Sequence, residues 1–444
     1  WIFIFGMMHS TAIIFGKAIG AGKPDDAYLF SKRMIAMAIA CNPSLLIADE
    51  PTTALDVTVQ KAILLLLKSL QAKYGMSLIF ISHDLGVIAE IADEVVVMNQ
   101  GAVVEQGKVA DIFNNPQHPY TQGLIACRPP LGVRLKRLPT VADFTGKAFL
   151  EPALTNELFK YIDNADRALA HKELYGQSPL LKVKELSVYY PQPRKIFAKE
   201  KEAFKAVDKV SFDVFKGETL GLVGESGCGK TTLGRAILQL IKPTAGELFF
   251  EGVDLQKLNQ RELRQMRQRM QIIFQDPYSS LNPRITAGQS IMEPMQAHNL
   301  YGNNAARKKQ VLDLLDRVNL NPDHFNRYPH QFSGGQRQRI CIARALALRP
   351  EFIICDESVS ALDVSVQAQV LNLLNDLKRD FEFTYIFISH DLSVVRFMSD
   401  RMMVMKSGKI IESGEADALY ENPSESYTKD LIAAIPGAKL TTVL

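Results

Sequence analysis

The chain has 444 residues, enough for about two or three domains, and 47% of them are hydrophobic, as in ordinary globular proteins with a buried core. Its formal net charge is only +3, which argues against a basic nucleic-acid footprint and against an acidic tail. The five cysteines (Cys41, Cys127, Cys228, Cys341 and Cys355) include no C-x-x-C pair, so a disulfide scaffold or zinc site is not indicated and a reducing compartment fits. Cys41, Cys341 and Cys355 lie in apolar runs and are predicted to be core residues.

The first residues match no complete pattern. Residues 1–22 are mostly apolar, but His9, Lys17 and several glycines weaken them as a membrane-spanning helix. The apolar run also lacks the basic segment that begins a secretory signal. We interpret residues 1–33 as an unassigned, truncated or disrupted part of a first domain, with a membrane span as the minority interpretation.

Two parts of the chain repeat each other. Residues 49–60 read DEPTTALDVTVQ and residues 356–367 read DESVSALDVSVQ. The segment Ile79–Asp84 is likewise identical to Ile386–Asp391. The offset is always 307 residues, without a gap, and a constant offset indicates an internal repeat of half a domain.

The repeat predicts the domain organisation. Residues 34–126 form the rear half of a first unit, and residues 180–444 form a complete second unit. Residues 127–179 join the two and are predicted to be a partly ordered connector.

The connector carries a helical pattern and a basic cluster. The helical pattern lies near residues 154–169. The basic residues Arg134, Lys136 and Arg137 are expected to form a solvated face, with an anionic partner as the alternative.

The second unit alternates between strand-like and helix-like segments. Strands are predicted at 218–223, 248–251, 271–274, 352–355, 384–388 and 402–405. Helices are predicted at 230–241, 260–269, 306–318, 335–347, 364–380 and 391–398. This alternation predicts a mainly parallel sheet covered by helices, with a helical insertion from about residue 276 to 345.

A phosphate-binding loop follows the first of these strands. It matches G-x-x-x-x-G-K-[ST] and consists of Gly224, Glu225, Ser226, Gly227, Cys228, Gly229, Lys230 and Thr231. The helix that continues from Thr232 completes the strand–loop–helix setting that the motif needs. Backbone N–H groups and the helix N-terminus would bind phosphate oxygens. Lys230 would reach the β- and γ-phosphates, and the Thr231 hydroxyl would ligate Mg²⁺.

Polar side chains end several apolar strands of the second unit. Asp356 and Glu357 follow the strand at 352–355, and ligands bind at the carboxyl ends of parallel strands. We therefore predict that Asp356 holds Mg²⁺ through water and that Glu357 polarises the attacking water. Gln275 could contact Mg²⁺ or that water. His390 could orient the water, although a lone histidine at a strand end is more often structural.

A second glycine-containing turn opens the helix predicted at 335–347. It consists of Ser333, Gly334, Gly335 and Gln336. Two glycines at a helix N-terminus form another phosphate-binding nest. Because the second unit already has one phosphate loop, this nest is predicted to serve a nucleotide on another domain. An ordinary N-cap at Ser333 is the alternative.

The second unit resembles the ATP-binding domain of ABC transporters, because it carries six of that domain's motifs in the same order. They are the phosphate loop, Gln275, Phe332–Gln336, Asp356-Glu357, Ser360–Asp363 and His390. The resemblance spans nearly all of residues 180–444. It implies a P-loop NTPase fold, with a mainly parallel sheet, an antiparallel edge and a helical insertion.

The resemblance also implies how nucleotide would be held. Two such domains would pair head to tail, and each MgATP would lie between the phosphate loop of one and the Ser-Gly-Gly-Gln turn of the other. An aromatic side chain would stack on adenine, and Tyr190 is our choice, with Tyr189 second.

Two segments look most like the peptide-importing branch of this family. They are Gln275–Arg284 and Pro116–Leu124. Some members carry an iron–sulfur cysteine cluster after the second segment; only Cys127 is present here, so no cluster is predicted. Phe332 in place of the usual Leu and Ser358 in place of the usual Pro are mild departures.

The first unit carries only part of the pattern. No G-x-x-x-x-G-K-[ST] precedes Met34, and the residues before it contain no Ser-Gly-Gly-Gln. The chain is therefore expected not to complete either composite ATP site within itself. Hydrolysis would need second units from two chains or, as we favour, a longer protein of which this is a piece.

These patterns predict an ATP-binding and ATP-hydrolysing subunit of an importer for dipeptides or oligopeptides, with ATP and Mg²⁺ as cofactors. It would act at the cytoplasmic face of the membrane with two permease subunits, an extracytoplasmic peptide-binding protein and a second ABC domain. One alternative is a nucleotide-binding protein that does not hydrolyse ATP. Another is a soluble ABC-type ATPase acting on ribosomes or DNA, which the near-neutral charge disfavours. A nickel complex remains open as the substrate.

Overall fold

The structure of the protein is a computed structural model that describes residues 43–52, 57–130, 132–146, 159–191 and 203–435. The interpretations of residues 1–33 and of Cys41 lie outside these residues. Across the described ranges, every helix is too short or too polar to cross a membrane.

The first unit contains two small sheets and the helices that connect their strands. Its elements are β1 (Leu45–Asp49), α1 (Val57–Tyr74), β2 (Ser77–Ile81), α2 (Leu85–Ile91), β3 (Glu94–Asn99), β4 (Ala102–Lys108), α3 (Val109–Asn114) and α4 (Pro119–Ala126). Strands β1 and β2 pair in parallel, whereas β3 and β4 are antiparallel. Helices α1 and α2 pack Ile63, Leu67 and Val87 against one face of β1 and β2, near Leu46 and Phe80.

The described part of the connector contains two helices, α5 (Val141–Thr145) and α6 (Asn164–Tyr175). Of the helix predicted near residues 154–169, residues 154–158 lie outside the described residues, residues 159–163 are not helical and residues 164–169 are helical. Asp163 fixes the helix start, since its carboxylate accepts a hydrogen bond from the Ala165 backbone N–H at 2.8 Å.

The second unit holds the remaining elements. Its strands are β5 (Pro179–Pro191), β6 (Ala203–Phe215), β7 (Thr219–Val223), β8 (Ala245–Phe250), β9 (Val253–Asp254), β10 (Met270–Ile273), β11 (Phe352–Asp356), β12 (Thr384–Ile388), β13 (Arg401–Lys406) and β14 (Lys409–Glu415). Its helices are α7 (Lys230–Ile237), α8 (Gln260–Arg269), α9 (Pro277–Ser280), α10 (Ala287–Ala297), α11 (Asn304–Arg317), α12 (Gly334–Leu346), α13 (Val364–Phe381), α14 (Leu392–Met398), α15 (Ala416–Glu421) and α16 (Ser426–Ala433), with 3-10 turns at Pro322–Asn326 and Pro329–Gln331. All the predicted strands and helices are confirmed with small shifts at their ends. The long β5 and β6 strands were not predicted.

Six of these strands form the main sheet, in the order β10, β11, β12, β7, β13, β14. The first five are parallel, and β14 runs antiparallel to β13. A separate antiparallel sheet has the order β6, β5, β8, β9. The predicted fold class, a mainly parallel sheet with an antiparallel part and a helical insertion formed by α9 to α12, is confirmed.

The main sheet has a hydrophobic core on each face. Successive residues of a strand point to opposite faces, so Ile353 and Phe387 enter one core with α12 and α13. Their neighbours Ile354 and Ile388 enter the other core, which β5 to β8 and α7 complete. Cys341 and Cys355 are buried in the first of these cores, as predicted.

The sequence repeat is also a structural repeat. Every element from β1 to α4 recurs 307 residues later, from β11 to α16, with the same bounds. Leu45 lies opposite Ser77 in the first parallel pair, and Phe352 lies opposite Thr384 in the second. Both antiparallel pairs also shift register at equivalent residues.

The connector docks on the second unit through buried polar contacts. Leu138 exchanges two hydrogen bonds with the Asn372 side chain, at 2.9 and 2.8 Å. The prediction of a solvated basic face was wrong for Arg134, whose side chain is only 9% exposed. Its guanidinium donates to the Ser399 carbonyl at 2.8 Å, just after α14, and to the Asp417 carboxylate at 3.3 Å. A helix C-terminus attracts cations, which explains this placement.

Arg134→Ala should lower the unfolding free energy of the second unit by about 3 kcal/mol, because it removes charged hydrogen bonds from a buried site. Chemical unfolding followed by circular dichroism measures this loss. Lys136→Ala is the matched control, since Lys136 is exposed and should change stability by less than about 0.5 kcal/mol. Equal losses in the two variants would contradict the docking role of Arg134.

Candidate functional site

The phosphate loop lies between β7 and α7, in a narrow space that requires glycine. Gly229 has a φ of 113°, and a Cβ there would lie 2.1 Å from the Ala206 carbonyl oxygen. Gly224 has a φ of 151°, and its Cβ would lie 2.2 Å from the Met405 carbonyl oxygen. Any other residue would push the loop away from these backbones, so the two glycines set its position.

Lys230 begins α7, and its ammonium group lies inside the loop. Its Nζ donates hydrogen bonds to the carbonyl oxygens of Gly224 at 2.7 Å and of Glu225 at 2.9 Å. The same atom is 3.9 Å from a Glu357 carboxylate oxygen, and the lysine side chain is only 3% exposed. A positive charge is thus held at the centre of the turn, and Thr232 lies in the first turn of the helix that follows.

Thr231 and Asp356 meet across the carboxyl ends of the parallel strands. The Thr231 hydroxyl donates to Asp356 Oδ1 at 2.9 Å. Burial raises the pKa of Asp356, and the Thr231 hydrogen bond and the positive charges of Arg235 and Lys230 oppose that rise. A hydroxyl and a carboxylate side by side supply the oxygen ligands that Mg²⁺ prefers.

Glu357 lies at the centre of the other polar contacts. Gln275 Nε2 donates to Glu357 Oε2 at 2.8 Å, and His390 Nδ1 is 3.5 Å from the same oxygen. Burial acts to raise the pKa of Glu357, but the His390 hydrogen bond and the positive charges of His390 and Lys230 outweigh it, so the pKa is lowered. The pKa of His390 is raised, because contact with Glu357 outweighs its burial. Both shifts favour an ionised pair.

The backbone of Glu357 is in the left-handed region, with a φ of 48°. Its N–H donates to the Ile388 carbonyl at 3.0 Å, which ties the turn after β11 to the end of β12. Glu50, the equivalent residue of the first unit, has a φ of 45° and the same kind of bond, to Ile81. A non-glycine residue in this conformation is strained. The same strained conformation therefore occurs at equivalent positions of both units.

The Ser333–Gln336 turn takes no part in this cluster within the chain. Ser333 caps α12: its hydroxyl accepts from the Gln336 N–H at 3.3 Å, and its own N–H donates to Gln336 Oε1 at 3.1 Å. Gly335 is pressed against α13, since a Cβ there would lie 2.3 Å from Val366. Both of the alternatives weighed for this turn, an N-cap and a nest for another domain's nucleotide, are compatible with the geometry.

The two candidate adenine-stacking residues differ in how they are held. The Tyr189 hydroxyl donates to Asp208 at 2.8 Å, and Lys205 Nζ lies 5.5 Å from the centre of its ring. Tyr190 is 39% exposed near the end of β5. Tyr190 is thus the more exposed of the two rings.

Sequence reasoning missed one residue beside the loop. The Tyr427 hydroxyl accepts a hydrogen bond from the Glu225 N–H at 3.2 Å. Lys406 Nζ lies 4.3 Å from the centre of the Tyr427 ring, and burial raises the pKa of this phenol. The available signal was the repeat, because Tyr427 is equivalent to Tyr120.

Equivalent residues of the two units line a shared cavity of about 120 Å³. The equivalent pairs that line it are Gln60 and Gln367, Ser82 and Ser389, His83 and His390, Asp84 and Asp391, and Leu85 and Leu392. His83 Nδ1 is 2.8 Å from Glu50 Oε1, which repeats the His390–Glu357 contact. Equivalent segments of the two units thus face each other across this cavity.

Two family models match parts of the chain. Residues 207–360 match the family model of the ABC transporter, and residues 104–147 match that of the oligopeptide/dipeptide transporter, C-terminal region. A solved dimeric ATP-binding cassette, in a post-hydrolysis state with ADP and phosphate, is 30% identical; the match covers 53% of this chain and 98% of that one, with a TM-score of 0.48.

Curated relatives match over most of the chain. The glutathione import ATP-binding proteins GsiA of Pectobacterium atrosepticum and of Escherichia coli K12 are each 50% identical over 407 residues, which is 91% of this chain. The chain spans 63% of the length of these relatives. Residues 207–360 of the chain therefore carry the ABC transporter family pattern, and residues 104–147 carry that of the oligopeptide/dipeptide transporter, C-terminal region.

Proposed function

We propose that the chain is an ATP-binding and ATP-hydrolysing subunit of an importer for short peptides. One observation carries the proposal: the phosphate loop and the two acidic residues after β11 come within direct contact, through Thr231–Asp356 at 2.9 Å and Lys230–Glu357 at 3.9 Å. The family match identifies the nucleotide-binding class. The relatives are named glutathione import ATP-binding proteins, and this name supports a short peptide as the substrate.

The residues present fit a MgATP site. The Thr231 hydroxyl and the Asp356 carboxylate would hold Mg²⁺, with the Gln275 amide oxygen as a further candidate ligand. When bound, Mg²⁺ would neutralise charge on the phosphates. Lys230 and the loop N–H groups would bind the β- and γ-phosphates, and Tyr190 would stack on adenine.

Glu357 is the candidate general base. Its lowered pKa keeps it ionised, so its carboxylate can orient and polarise a water molecule next to the γ-phosphate. His390, held against the same carboxylate, would donate a hydrogen bond to the γ-phosphate. Most of the rate enhancement would come from fixed positive charge around the transferred phosphoryl group, supplied by Lys230 and by a partner domain.

The need for partners follows from the Ser333–Gln336 turn, which lies outside the polar cluster around Lys230 and Glu357. The Ser333–Gln336 turn would bind a nucleotide on a second ABC domain, and that domain's own turn would complete the site at Lys230. Two permease subunits would form the pore, an extracytoplasmic protein would deliver the peptide, and the chain would act peripherally at the cytoplasmic face. A nucleotide-binding protein without hydrolysis is the competing proposal, and turnover with the permease subunits present decides between them.

Lys230→Ala should weaken ATP binding by about 10–100-fold, because it removes charge-assisted hydrogen bonds to phosphate, and it should abolish turnover. Titration with a fluorescent ATP analogue measures the affinity. Lys257→Ala is the matched control, because this lysine is 84% exposed and far from the loop in sequence. Unchanged ATP affinity in Lys230→Ala would exclude the loop as the nucleotide site.

Glu357→Gln should keep ATP affinity within a few-fold and lower turnover by about 10²–10⁴-fold, the usual contribution of a general base. Binding is measured on the chain alone, and phosphate release on membranes that contain the permease subunits. Glu351→Gln serves as the control, since Glu351 binds Arg269 at 2.6 Å at the N-terminal end of β11, whereas Glu357 follows its C-terminal end. If Glu357→Gln turns over ATP at the unaltered rate, Glu357 is not the base.

A further inference from the structure

One peptide group of the phosphate loop is held from two sides. The Gly224 carbonyl accepts a hydrogen bond from Lys230 Nζ at 2.7 Å, and the Glu225 N–H of the same peptide group donates to the Tyr427 hydroxyl at 3.2 Å. The C=O and N–H of a trans peptide group point in opposite directions. Lys230 therefore holds this group from inside the loop, and Tyr427 holds it from the other side.

The Tyr427 hydroxyl makes a second contact with the same residue, since it also forms a hydrogen bond with the Glu225 side chain. Burial is the largest cause that raises the pKa of this phenol. The hydrogen bond from the Glu225 N–H opposes the rise, whereas the negative charge of the Glu225 carboxylate adds to it. The hydroxyl thus keeps its proton at neutral pH, so it can donate to the carboxylate while it accepts from the backbone.

The ring that carries this hydroxyl is fixed in the core. Tyr427 is 7% exposed and lies in the same hydrophobic core as α12 and α13. Lys406 Nζ is 4.3 Å from the centre of the ring, which is close enough for a cation–π contact. Because the ring is already ordered, the contact with Glu225 requires no further loss of side-chain freedom when a nucleotide binds.

A carboxylate on β14 fixes the start of α16, the helix to which Tyr427 belongs. Glu412 accepts hydrogen bonds from the backbone N–H groups of Ser424 at 2.7 Å and of Glu425 at 3.3 Å. It also accepts one from the Thr428 hydroxyl, and Thr428 is fully buried next to Tyr427. These contacts determine where α16 begins and thereby where the tyrosine ring enters the core.

The same anchor occurs in the first unit. Glu105, the equivalent of Glu412, accepts a hydrogen bond from the Gln117 N–H at 2.7 Å. Both residues of this bond lie within residues 104–147, which match the oligopeptide/dipeptide transporter, C-terminal region. By the offset of 307 residues, the counterpart of that region in the second unit begins at residue 411. The anchored helix is therefore a feature of this region, and in the second unit its first turn contacts the phosphate loop.

We propose that Tyr427 is a positioning residue of the nucleotide site, and that α16 takes part in ATP binding through it. The inference rests on the proposed function, in which Lys230 binds phosphate. Lys230 has three N–H donors, and it uses them on the carbonyl oxygens of Gly224 and Glu225. Phosphate competes for these donors, whereas the Tyr427 contact does not involve them. Tyr427 therefore keeps the peptide group between Gly224 and Glu225 in place while Lys230 changes partners.

Tyr427→Phe tests this role, because it removes the hydroxyl and keeps the ring that fills the core. In the full chain without nucleotide, we expect the Glu225 amide to exchange its hydrogen at least about threefold faster in the variant, since it loses its acceptor. We also expect the affinity for ATP to fall by about 3–10-fold, the usual effect of one lost hydrogen bond. Mass spectrometry measures the exchange, and titration with a fluorescent ATP analogue measures the affinity.

Tyr385→Phe is the matched control, because it removes the same atom from another buried tyrosine. The Tyr385 hydroxyl donates to the Leu374 carbonyl at 3.4 Å. Tyr385 lies opposite Thr219 at the start of β7, whereas the phosphate loop follows the end of that strand. The control should leave both the Glu225 exchange and the ATP affinity unchanged, even where it lowers the stability of the core. Circular dichroism of both variants checks that they fold.

Two results would overturn the proposal. One is an equal exchange rate of the Glu225 amide in the wild-type chain and in Tyr427→Phe. The other is an ATP affinity that Tyr427→Phe leaves unchanged, or lowers no more than Tyr385→Phe does, since the loss would then come from the core. A wild-type chain that binds no ATP would refute the proposed function and this role together, and the exchange measurement, which needs no nucleotide, distinguishes that case.

Discussion

The site depends on one constraint, which is that parallel strands end at a common edge. Strand β7 delivers the phosphate loop, β11 delivers Asp356 and Glu357, and β12 leads to His390, and all three strands are adjacent or nearly so in one sheet. The 2.9 Å bond between Thr231 and Asp356 is the direct expression of that constraint. The two residues are 125 positions apart in sequence. They meet because β7 and β11 are parallel and only β12 lies between them, so the carboxyl ends of the two strands are close together.

Electrostatics then assigns different properties to two neighbouring carboxylates. Burial raises the pKa of Asp356 although the Thr231 hydroxyl opposes that rise, whereas contact with His390 and Lys230 outweighs burial and lowers the pKa of Glu357. Two adjacent acids whose environments shift their pKa values in opposite directions suit different roles. Metal binding would offset the rise in the pKa of Asp356 that burial causes. Glu357 has a lowered pKa, so its carboxylate is already ionised and suited to contact with water.

Local sequence patterns predicted the second unit well because its elements alternate regularly, and the glycine spacing of the loop has one structural solution. The patterns failed where contacts are non-local. Arg134 looks like a surface residue in its basic segment, and only the Ser399 carbonyl and Asp417, more than 260 residues away, make its burial favourable. Tyr427 was missed for the same reason, since its role depends on the Glu225 N–H across the domain. Strands β5 and β6 were missed although they carry a local signal, because apolar and polar residues alternate around Leu181 and Val183 and around Val210, Phe212 and Val214.

The repeat separates local from non-local causes within one molecule. Both units place β1 and β2, or β11 and β12, in the same register, and both cover one face with the helix that connects the strands. Short-range sequence is therefore sufficient for that layer, because a crossover helix packs back on the strands it joins. The other face of the second unit is covered by β5 to β8 and α7, which precede β11 by about a hundred residues or more, and this layer has no described counterpart in the first unit. A buried Ile354 and an exposed Ile47 thus occupy the same position of the same pattern. Ile354 is covered by the layer that carries the phosphate loop, and among the described residues no such layer covers Ile47.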